Sequence, residues 1–171
     1  MDNQQATKEL SWLAGFIEAD GSLQIMVQMK ANNTIKLTPL VTGVGCEIEL
    51  IDRCIMIFQS HCQVNPHRNS FNQGGNKRIA HRFVLAKQAH CMRALEKLEC
   101  YLFGRKKEIA NLIIEFCQSR MSKHKKTFGG LNPYSKRELE ITQRISQLNS
   151  VGTSETTRKS VERVNLALQK I

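Results

Sequence analysis

The sequence has no apolar run that approaches the roughly 20 residues of a membrane-spanning helix. Its opening segment, MDNQQATKEL, lacks the basic and apolar regions of a secretory signal peptide and the arginine that is typical of transit peptides. We therefore expect no membrane partner and no secretory leader. The expected location is an organelle (chloroplast or mitochondrion) or the cytoplasm of an archaeon or a bacterium, since an organelle-encoded protein needs no targeting segment.

Acidic residues are scarce. The chain has 15 Asp and Glu against 25 Lys and Arg, which gives a formal net charge of +10 and a pI near 9.6. Such an excess favours a polyanionic partner, and nucleic acid is the first candidate. The length of 171 residues, with 41% hydrophobic residues, suits one domain with a core. We predict a single domain over 1–171, with its core at 7–133 and C-terminal helices at 134–171.

The sequence also lacks the C-x-x-C pairs that are typical of zinc fingers. Most of its cysteines lie inside apolar stretches such as RCIMIF and IIEFCQ. We interpret them as small buried hydrophobic residues rather than disulfides, which indicates an intracellular, reducing compartment. The six cysteines are Cys46, Cys54, Cys62, Cys91, Cys100 and Cys117.

Hydrophobic periodicity predicts α-helix first and then β-strand. Apolar residues at helical spacing over 7–19 indicate a helix for which Thr7 is a plausible cap. From 22 to 30 the period changes to two, and a second strand of the same kind follows the turn ANNT. Two more strands are predicted in CQVNPHRN and KRIAHRFVLAK. With the remaining apolar helices, the predicted order is α-β-β-α-β-β-α-α-α-α, which is an α+β fold.

The four strands form a sheet with one apolar face and one polar face. A polar face on an antiparallel sheet is by default simply solvated. Here its predicted residues include no Asp, Glu or aromatic residue, which fits hydrogen bonding to base edges and phosphates of duplex DNA. The first strand would span roughly 30 Å, or about nine base pairs. The candidate DNA-binding residues of the strands and their turns are Gln24, Met26, Gln28, Lys30, Asn32, Asn33, Lys36, Thr38, Asn65, His67, Arg78 and Arg82.

Asp20 stands where the first predicted helix ends. The helix dipole disfavours a carboxylate there. A divalent cation would compensate, because such ions prefer hard oxygen ligands. The alternative is that Asp20-Gly21 is only a turn signal, and Asp20 alone does not decide between them.

The string LAGFIEADGS resembles the LAGLIDADG motif of homing endonucleases. The order of elements is also that family's, and the segments ANLIIEF and TSETTRKSVERV resemble its single-motif, intron-encoded branch. The resemblance implies an α-β-β-α-β-β-α core with a four-stranded antiparallel, saddle-shaped DNA-binding sheet. It implies a homodimer that hydrolyses both strands of a long pseudo-palindromic target. The matching residues are Leu13, Ala14, Gly15, Ile17, Ala19, Asp20 and Gly21.

The resemblance assigns roles to particular residues. Asp20 would bind the metal with help from the Ala19 carbonyl, Glu18 would serve structure, and Lys106, favoured over Arg105 and Lys107, would organise water near the scissile phosphate. Mg²⁺ is the expected ion; Mn²⁺ could replace it, and Ca²⁺ should support binding without cleavage. The dimer interface would include four residues of the motif helix: Leu13, Ala14, Gly15 and Ile17.

Two positions depart from the family pattern, and one of them is Glu47, which stands where the family has a basic residue. The family has a water-ordering Gln after Val-Thr in the second strand, and the matching stretch VTGVG places Gly43 there. Glu47 or Glu49 could substitute in catalysis, or ordered solvent could suffice, with Glu47 the candidate. The alignment could also slip by a few residues in this strand. The alternative function is an RNA-splicing maturase or a non-cleaving DNA binder on the same fold, and only a maturase would have RNA as its partner.

Overall fold

A computed structural model describes residues 3–29, 35–72, 79–124 and 133–150, with 162, 165 and 169. The fold is α+β, and the predicted order is confirmed as far as the fifth helix; the helix expected at 154–170 lies outside the described ranges. The elements are α1 (Asn3–Asp20), β1 (Gly21–Met29), β2 (Ile35–Gly45), α2 (Ile48–Cys62), β3 (His67–Asn72), β4 (Ile79–Leu85), α3 (Gln88–Leu98), a 3₁₀ turn (Glu99–Tyr101), α4 (Gly104–His124) and α5 (Lys136–Ser150).

Two hairpins form one antiparallel sheet in the order β1-β2-β4-β3. Gly21 of β1 pairs with Gly43 of β2, and Arg82 of β4 pairs with Val44 of β2 on one side and with Asn69 of β3 on the other. β2 and β4 are therefore the central strands.

One face of the sheet packs against the helices. In β1, β2 and β4 buried side chains on this face alternate with half-buried or exposed ones on the other, as the period of two predicts, whereas β3 has no buried residue. Phe83 of β4 lies between Phe16 of α1 and Phe58 of α2, with ring centroids 6.3 and 5.2 Å apart. The opposite face, called here the outer face, carries the alternate residues of the four strands.

Helix α1 begins earlier than its periodicity predicts. It starts at Asn3, and the Thr7 hydroxyl donates a hydrogen bond to the Asn3 carbonyl oxygen at 2.9 Å, so Thr7 lies within the helix and is not its cap. The helix ends at Asp20 because the chain turns sharply into β1 at Gly21. A Cβ atom at Gly21 would lie 2.6 Å from the Ile17 Cα atom, so only glycine permits this turn.

The helical layer contains paired acidic residues. Glu138 of α5 is fully buried and accepts hydrogen bonds from Ser119, from Lys123 and from the Ser135 backbone N–H, at 2.7, 3.0 and 2.8 Å. Arg120 Nη1 lies 3.5 Å from the Oε2 atom of Glu138. Burial opposes ionisation of Glu138, but these partners outweigh burial and lower its pKa.

Exposed ion pairs add to these contacts between α4 and α5. Arg137 pairs with Glu115, and Arg144 pairs with Glu108, at 2.6 and 2.8 Å. Each such pair contributes little on its own because both partners are exposed. None of the described helices has the length and apolar character that crossing a membrane requires.

Candidate active site and nucleic-acid interface

Asp20 is exposed at the last position of α1, directly before β1. The carbonyl end of the helix carries partial negative charge, so a carboxylate is disfavoured there unless positive charge lies nearby. Asp20 is therefore an accessible anionic ligand at one end of the sheet.

Lys106 of α4 supplies positive charge at this helix end. Its ammonium group donates hydrogen bonds to the carbonyl oxygens of Ile17, Glu18 and Gly21, the last two at 2.8 Å. Burial lowers the pKa of Lys106, while the charges of Glu18 and Asp20 favour its protonated form. Lys106 thus closes the C-terminus of α1 and is not the solvated side chain that a helix start alone would suggest.

This geometry distinguishes Lys106 from its neighbours. The Arg105 guanidinium instead donates a hydrogen bond to the Leu148 carbonyl oxygen at 3.3 Å, and Lys107 is exposed. All three donors of the Lys106 ammonium are used on backbone oxygens. In this arrangement Lys106 positions the turn that carries Asp20.

Glu18 fastens the motif helix to the start of α4. Its Oε1 atom accepts a hydrogen bond from the Phe103 backbone N–H at 2.9 Å. The side chain is thereby committed to a structural contact, as the resemblance implied for this position.

The metal-ligand set expected from the resemblance comprises oxygen atoms of Ala19 and Asp20. The three Lys106 acceptors flank the Ala19 carbonyl in sequence and do not include it. Among the described residues, no group of three or more His, Cys, Asp or Glu side chains could hold a metal ion. The expected set would supply two hard oxygen atoms from one chain, a donor set that suits Mg²⁺, since this ion usually binds one or two carboxylates together with phosphates and waters.

Gly43 does not lie at a position that faces the active site. It is buried, and a Cβ atom there would lie 2.5 Å from Phe83 Cε1 and 2.6 Å from Phe16 Cε1. The expectation that Gly43 replaces a water-ordering glutamine is therefore wrong, because a side chain at 43 would point into the aromatic core. By alternation, Thr42 and Val44 point to the outer face.

Glu47 is exposed and immediately precedes α2, in extended backbone conformation. It follows the end of β2, and β2 ends beside the start of β1 because Gly43 pairs with Gly21. Glu47 therefore follows a strand that ends at the same edge of the sheet as Asp20, and its catalytic role stays a prediction.

The motif helix has two different faces. Leu13, Ala14 and Ile17 are fully buried in the core of their own chain, so the prediction that they contact a second copy is wrong. Their apolar side chains fix α1 to the sheet instead. Gly15 is exposed, and nothing lies within 4 Å of a Cβ atom built there. Ser11 and Ala19, one turn before and after Gly15, are also exposed. We call Ser11, Gly15 and Ala19 the small-residue stripe.

The described outer face of the sheet contains no Asp or Glu residue, as predicted. Some candidate DNA-binding residues lie outside the described residues, namely Lys30, Asn32, Asn33 and Arg78. The candidates that the structure places on the outer face by alternation and register are Gln24, Met26, Gln28, Lys36, Thr38, His67 and Arg82.

Asn65 is not on the outer face. It precedes β3, and its Oδ1 atom accepts a hydrogen bond from Gln59 Nε2 of α2 at 2.8 Å. The strand predicted from 62 starts later because α2 extends to Cys62 and Gln63 adopts a left-handed conformation with φ of 53°.

Phe71 was missed by sequence reasoning, which assigned it to a turn. β3 continues to Asn72, and Phe71 pairs with Ala80 on the same face as Arg82. The outer face therefore has an exposed aromatic residue, contrary to the prediction. The signal available in the sequence was the alternation His67, Asn69, Phe71.

Comparison with solved structures shows the same fold at low sequence identity. The homing endonuclease I-CvuI in complex with its target is 17% identical, with a TM-score of 0.64 over 95% of this chain and 98% of that chain. The archaeal intron-encoded homing endonuclease I-Vdi141I, complexed with DNA, is 15% identical, with a TM-score of 0.65 over 97% of each chain. The LAGLIDADG homing endonuclease I-GzeII, in complex with a DNA target, is 13% identical, with a TM-score of 0.57. The chain has the LAGLIDADG homing endonuclease fold.

The LAGLIDADG fold occurs at two chain lengths among these structures. Matches to I-CvuI and I-Vdi141I cover almost the whole of both chains, whereas the match to I-GzeII covers 91% of this chain and 49% of that one. At the sequence level, no protein-family model matches the chain and no curated protein matches it. In length, the present chain therefore matches I-CvuI and I-Vdi141I and about half of I-GzeII.

Proposed function

We propose that this protein is a metal-dependent, site-specific DNA endonuclease that acts as a homodimer. The observation that carries the proposal is the position of Asp20. It is an exposed carboxylate at the end of the motif helix, next to Lys106 and at one edge of a sheet whose described outer face has no acidic residue. A protein that only binds phosphates has little use for a carboxylate at this edge.

Duplex DNA is the proposed substrate. The net charge of +10 attracts a polyanion, while the described acidic side chains of α4 and α5 that form ion pairs lie in the helical layer. Amide and basic side chains on the outer face suit hydrogen bonds to base edges and phosphates. I-CvuI and I-Vdi141I, which share the fold, are structures in complex with DNA.

Asp20 and the Ala19 carbonyl would hold the metal ion. Bound Mg²⁺ would polarise the scissile phosphate and lower the pKa of an attacking water molecule. Lys106 would maintain the turn that aims Asp20, and Glu47 would accept a proton at the same edge of the sheet. Mn²⁺ should replace Mg²⁺, and Ca²⁺, which is present in the I-CvuI complex, should support binding alone.

The proposed homodimer is formed by two copies of α1 that pack along the small-residue stripe. Residues without bulk at Ser11, Gly15 and Ala19 let two helix backbones approach closely, and this would bring the two Asp20 residues to one dyad. Two-fold symmetry would then direct one Asp20 to each DNA strand. Two half-sites of about nine base pairs give a pseudo-palindromic target of roughly twenty.

A second candidate is an RNA-splicing maturase or a binder that does not cut. Phe71 favours RNA, because exposed aromatic residues on a sheet stack on unpaired bases. Gly43 no longer supports loss of cleavage, because its position faces the core. For either candidate, we propose an intracellular, reducing location in an organelle or in archaeal or bacterial cytoplasm, which fits six cysteines that are all free.

The proposal is tested by selecting binding sites from random duplex DNA in Ca²⁺ and then transferring the selected duplexes to Mg²⁺. The parent protein should cut both strands near the centre of a two-fold-related site of about twenty base pairs. Asp20→Asn should bind the same duplexes without cutting them. Asp52→Asn, which changes an exposed Asp of α2, is the matched control and should cut normally. Binding without cleavage by the parent in both Mg²⁺ and Mn²⁺ would contradict the endonuclease proposal, and selection of single-stranded RNA instead would favour the maturase.

A further inference from the structure

Arg82 lies in the interior of the outer face. It belongs to the central strand β4, and its register partners are Val44 on β2 and Asn69 on β3. A β-ribbon that enters the major groove brings its outward side chains to the base edges. The guanidinium of Arg82 is therefore placed to contact bases.

The Arg82 side chain is held on two sides. Its Cζ atom lies 5.4 Å from the centroid of the Phe71 ring, a cation–π contact. The Asn69 amide lies next to it. In the orientation that satisfies both the oxygen and the nitrogen of this amide, the oxygen accepts a hydrogen bond from Arg82 Nη2 at 3.2 Å and the nitrogen donates one to His67 Nε2 at 2.6 Å. Because these contacts restrict the guanidinium, less conformational entropy is lost when it binds.

Phe71 presents an apolar surface beside this guanidinium. The residue is 38% exposed, and it pairs with Ala80, two residues from Arg82 along β4. Ala80 itself is fully buried, so Phe71 and Arg82 are the exposed side chains at this point of the two strands. A cation and an exposed ring thus stand side by side on the outer face.

We propose that Arg82 and Phe71 together read a guanine and an adjacent thymine in each half-site of the target. The inference rests on the proposed DNA-binding function. Arginine donates two hydrogen bonds to the O6 and N7 atoms of guanine, which is a contact that the other bases cannot reproduce. A phenylalanine ring packs on the C5-methyl group that distinguishes thymine in the major groove. Asn69 positions Arg82 and does not itself read the base.

The test uses the duplexes that the parent protein selects, with single chemical changes in the bases. Replacing the proposed guanine by 7-deazaguanine removes the N7 acceptor and should weaken binding at least about fivefold, whereas replacing it by adenine should cost roughly 5- to 150-fold. Replacing the proposed thymine by deoxyuridine removes one methyl group and should weaken binding about fourfold.

Two variants connect these effects to the side chains. Arg82→Lys keeps the charge but not the two-pronged donor, and should discriminate less than the parent between guanine and 7-deazaguanine duplexes, and Arg82→Ala should bind both equally. Phe71→Ala should bind thymine and deoxyuridine duplexes equally. Arg144→Lys, on the helical layer, is the matched control and should retain both preferences. Circular dichroism checks that each variant is folded.

The salt dependence separates base reading from phosphate binding. If Arg82 contacts a base, Arg82→Lys should leave the slope of log K against log salt unchanged, and so should Arg82→Ala. A slope smaller by about one in Arg82→Ala would overturn the inference, because it indicates a phosphate contact. Selected duplexes without a conserved guanine-thymine step, or variants that keep the parent's sensitivities, would also overturn it while the endonuclease proposal stands. Failure to select any duplex would overturn both.

Discussion

Lys106 and Gly21 are joined by a hydrogen bond of 2.8 Å from the ammonium group to the backbone carbonyl, across 85 residues of sequence. This contact links the first turn of α4 to the first residue of β1.

We predict that Lys106→Met destabilises the fold by about 2–3 kcal/mol, because the substitution leaves half-buried carbonyl oxygens without a donor. Lys106→Arg should recover part of the loss. Urea unfolding measures the free energy, and Lys107→Met, at an exposed neighbour, should change it little. Equal stability of the two methionine variants would show that the Lys106 contacts contribute nothing.

A side chain at Gly43 should disrupt the aromatic core. Gly43→Ala places a methyl group within 2.6 Å of Phe16 and Phe83, and we expect a loss of about 1–3 kcal/mol in the free energy of unfolding. Gly43→Gln should cost more and should not restore any water-ordering function. Ser60→Ala, at an exposed position of α2, is the control and should change the free energy of unfolding little. A stable, more active Gly43→Gln would contradict the placement of Gly43 in the core.

A bulky residue in the small-residue stripe should prevent dimer formation without unfolding the chain. A Cβ atom at position 15 meets nothing within 4 Å in its own chain, so each Gly15→Arg copy should fold while the dimer dissociates and cleavage is lost. Sedimentation velocity gives the mass in solution. Gln118→Arg adds the same charge at an exposed position of α4 and should remain dimeric. A dimeric Gly15→Arg would place the interface elsewhere.

Acid should weaken the fold through Glu138. Its pKa is lowered in the folded state, so its stabilising effect is fully present above the unfolded value near 4.5 and is lost as the pH falls through the folded value. Glu138→Gln should lose about 3–5 kcal/mol at neutral pH, since it leaves Arg120 buried without its charge partner, and should show a flatter acid limb. Glu108→Gln, which breaks an exposed pair, should keep the parent's acid limb. Thermal unfolding between pH 3 and pH 7 compares the three proteins.

Thiol reactivity should divide the six cysteines into two groups. Burial raises the pKa of Cys54 and Cys91 to about 12 and that of Cys62 to about 11, and it raises the pKa of Cys117 as well. A short iodoacetamide pulse on the native protein, followed by mass spectrometry, should modify Cys46 and Cys100, which are exposed. The same pulse in urea should modify all six. Rapid native labelling of Cys54 or Cys91 would contradict their burial.

The regular parts of the fold were predictable because their causes are local. The alternation in β1 and β2 follows from the period of two, and Pro39 sits buried within β2 without ending it. β3 was misplaced because the end of α2 depends on the left-handed conformation of Gln63, for which glutamine gives no signal. The error at Asn65 follows from that boundary, whereas Phe71 was assigned to a turn because β3 runs three residues beyond its predicted end.

The candidate site was predictable in composition but not in arrangement. The motif named Asp20 correctly as an accessible residue, yet it could not show that Leu13 and Ile17 serve the core while Gly15 remains exposed. The resemblance also aligned Gly43 with a glutamine of the family, although alternation along β2 places position 43 on the buried face of the sheet. The threefold contact of Lys106 joins residues 85 or more positions apart, and no local pattern encodes it.

The two faces of the sheet differ in how freely their residues can change during evolution. Side chains such as Leu23 and Phe83 carry the stability of the fold, so their replacement threatens the whole molecule. Gln28 and Lys36 are exposed on the outer face and do not contribute to the core. A lineage could therefore exchange them and acquire a new target sequence while the fold remains stable. A change of target sequence, natural or engineered, would then be limited by DNA recognition and hardly by the stability of the fold.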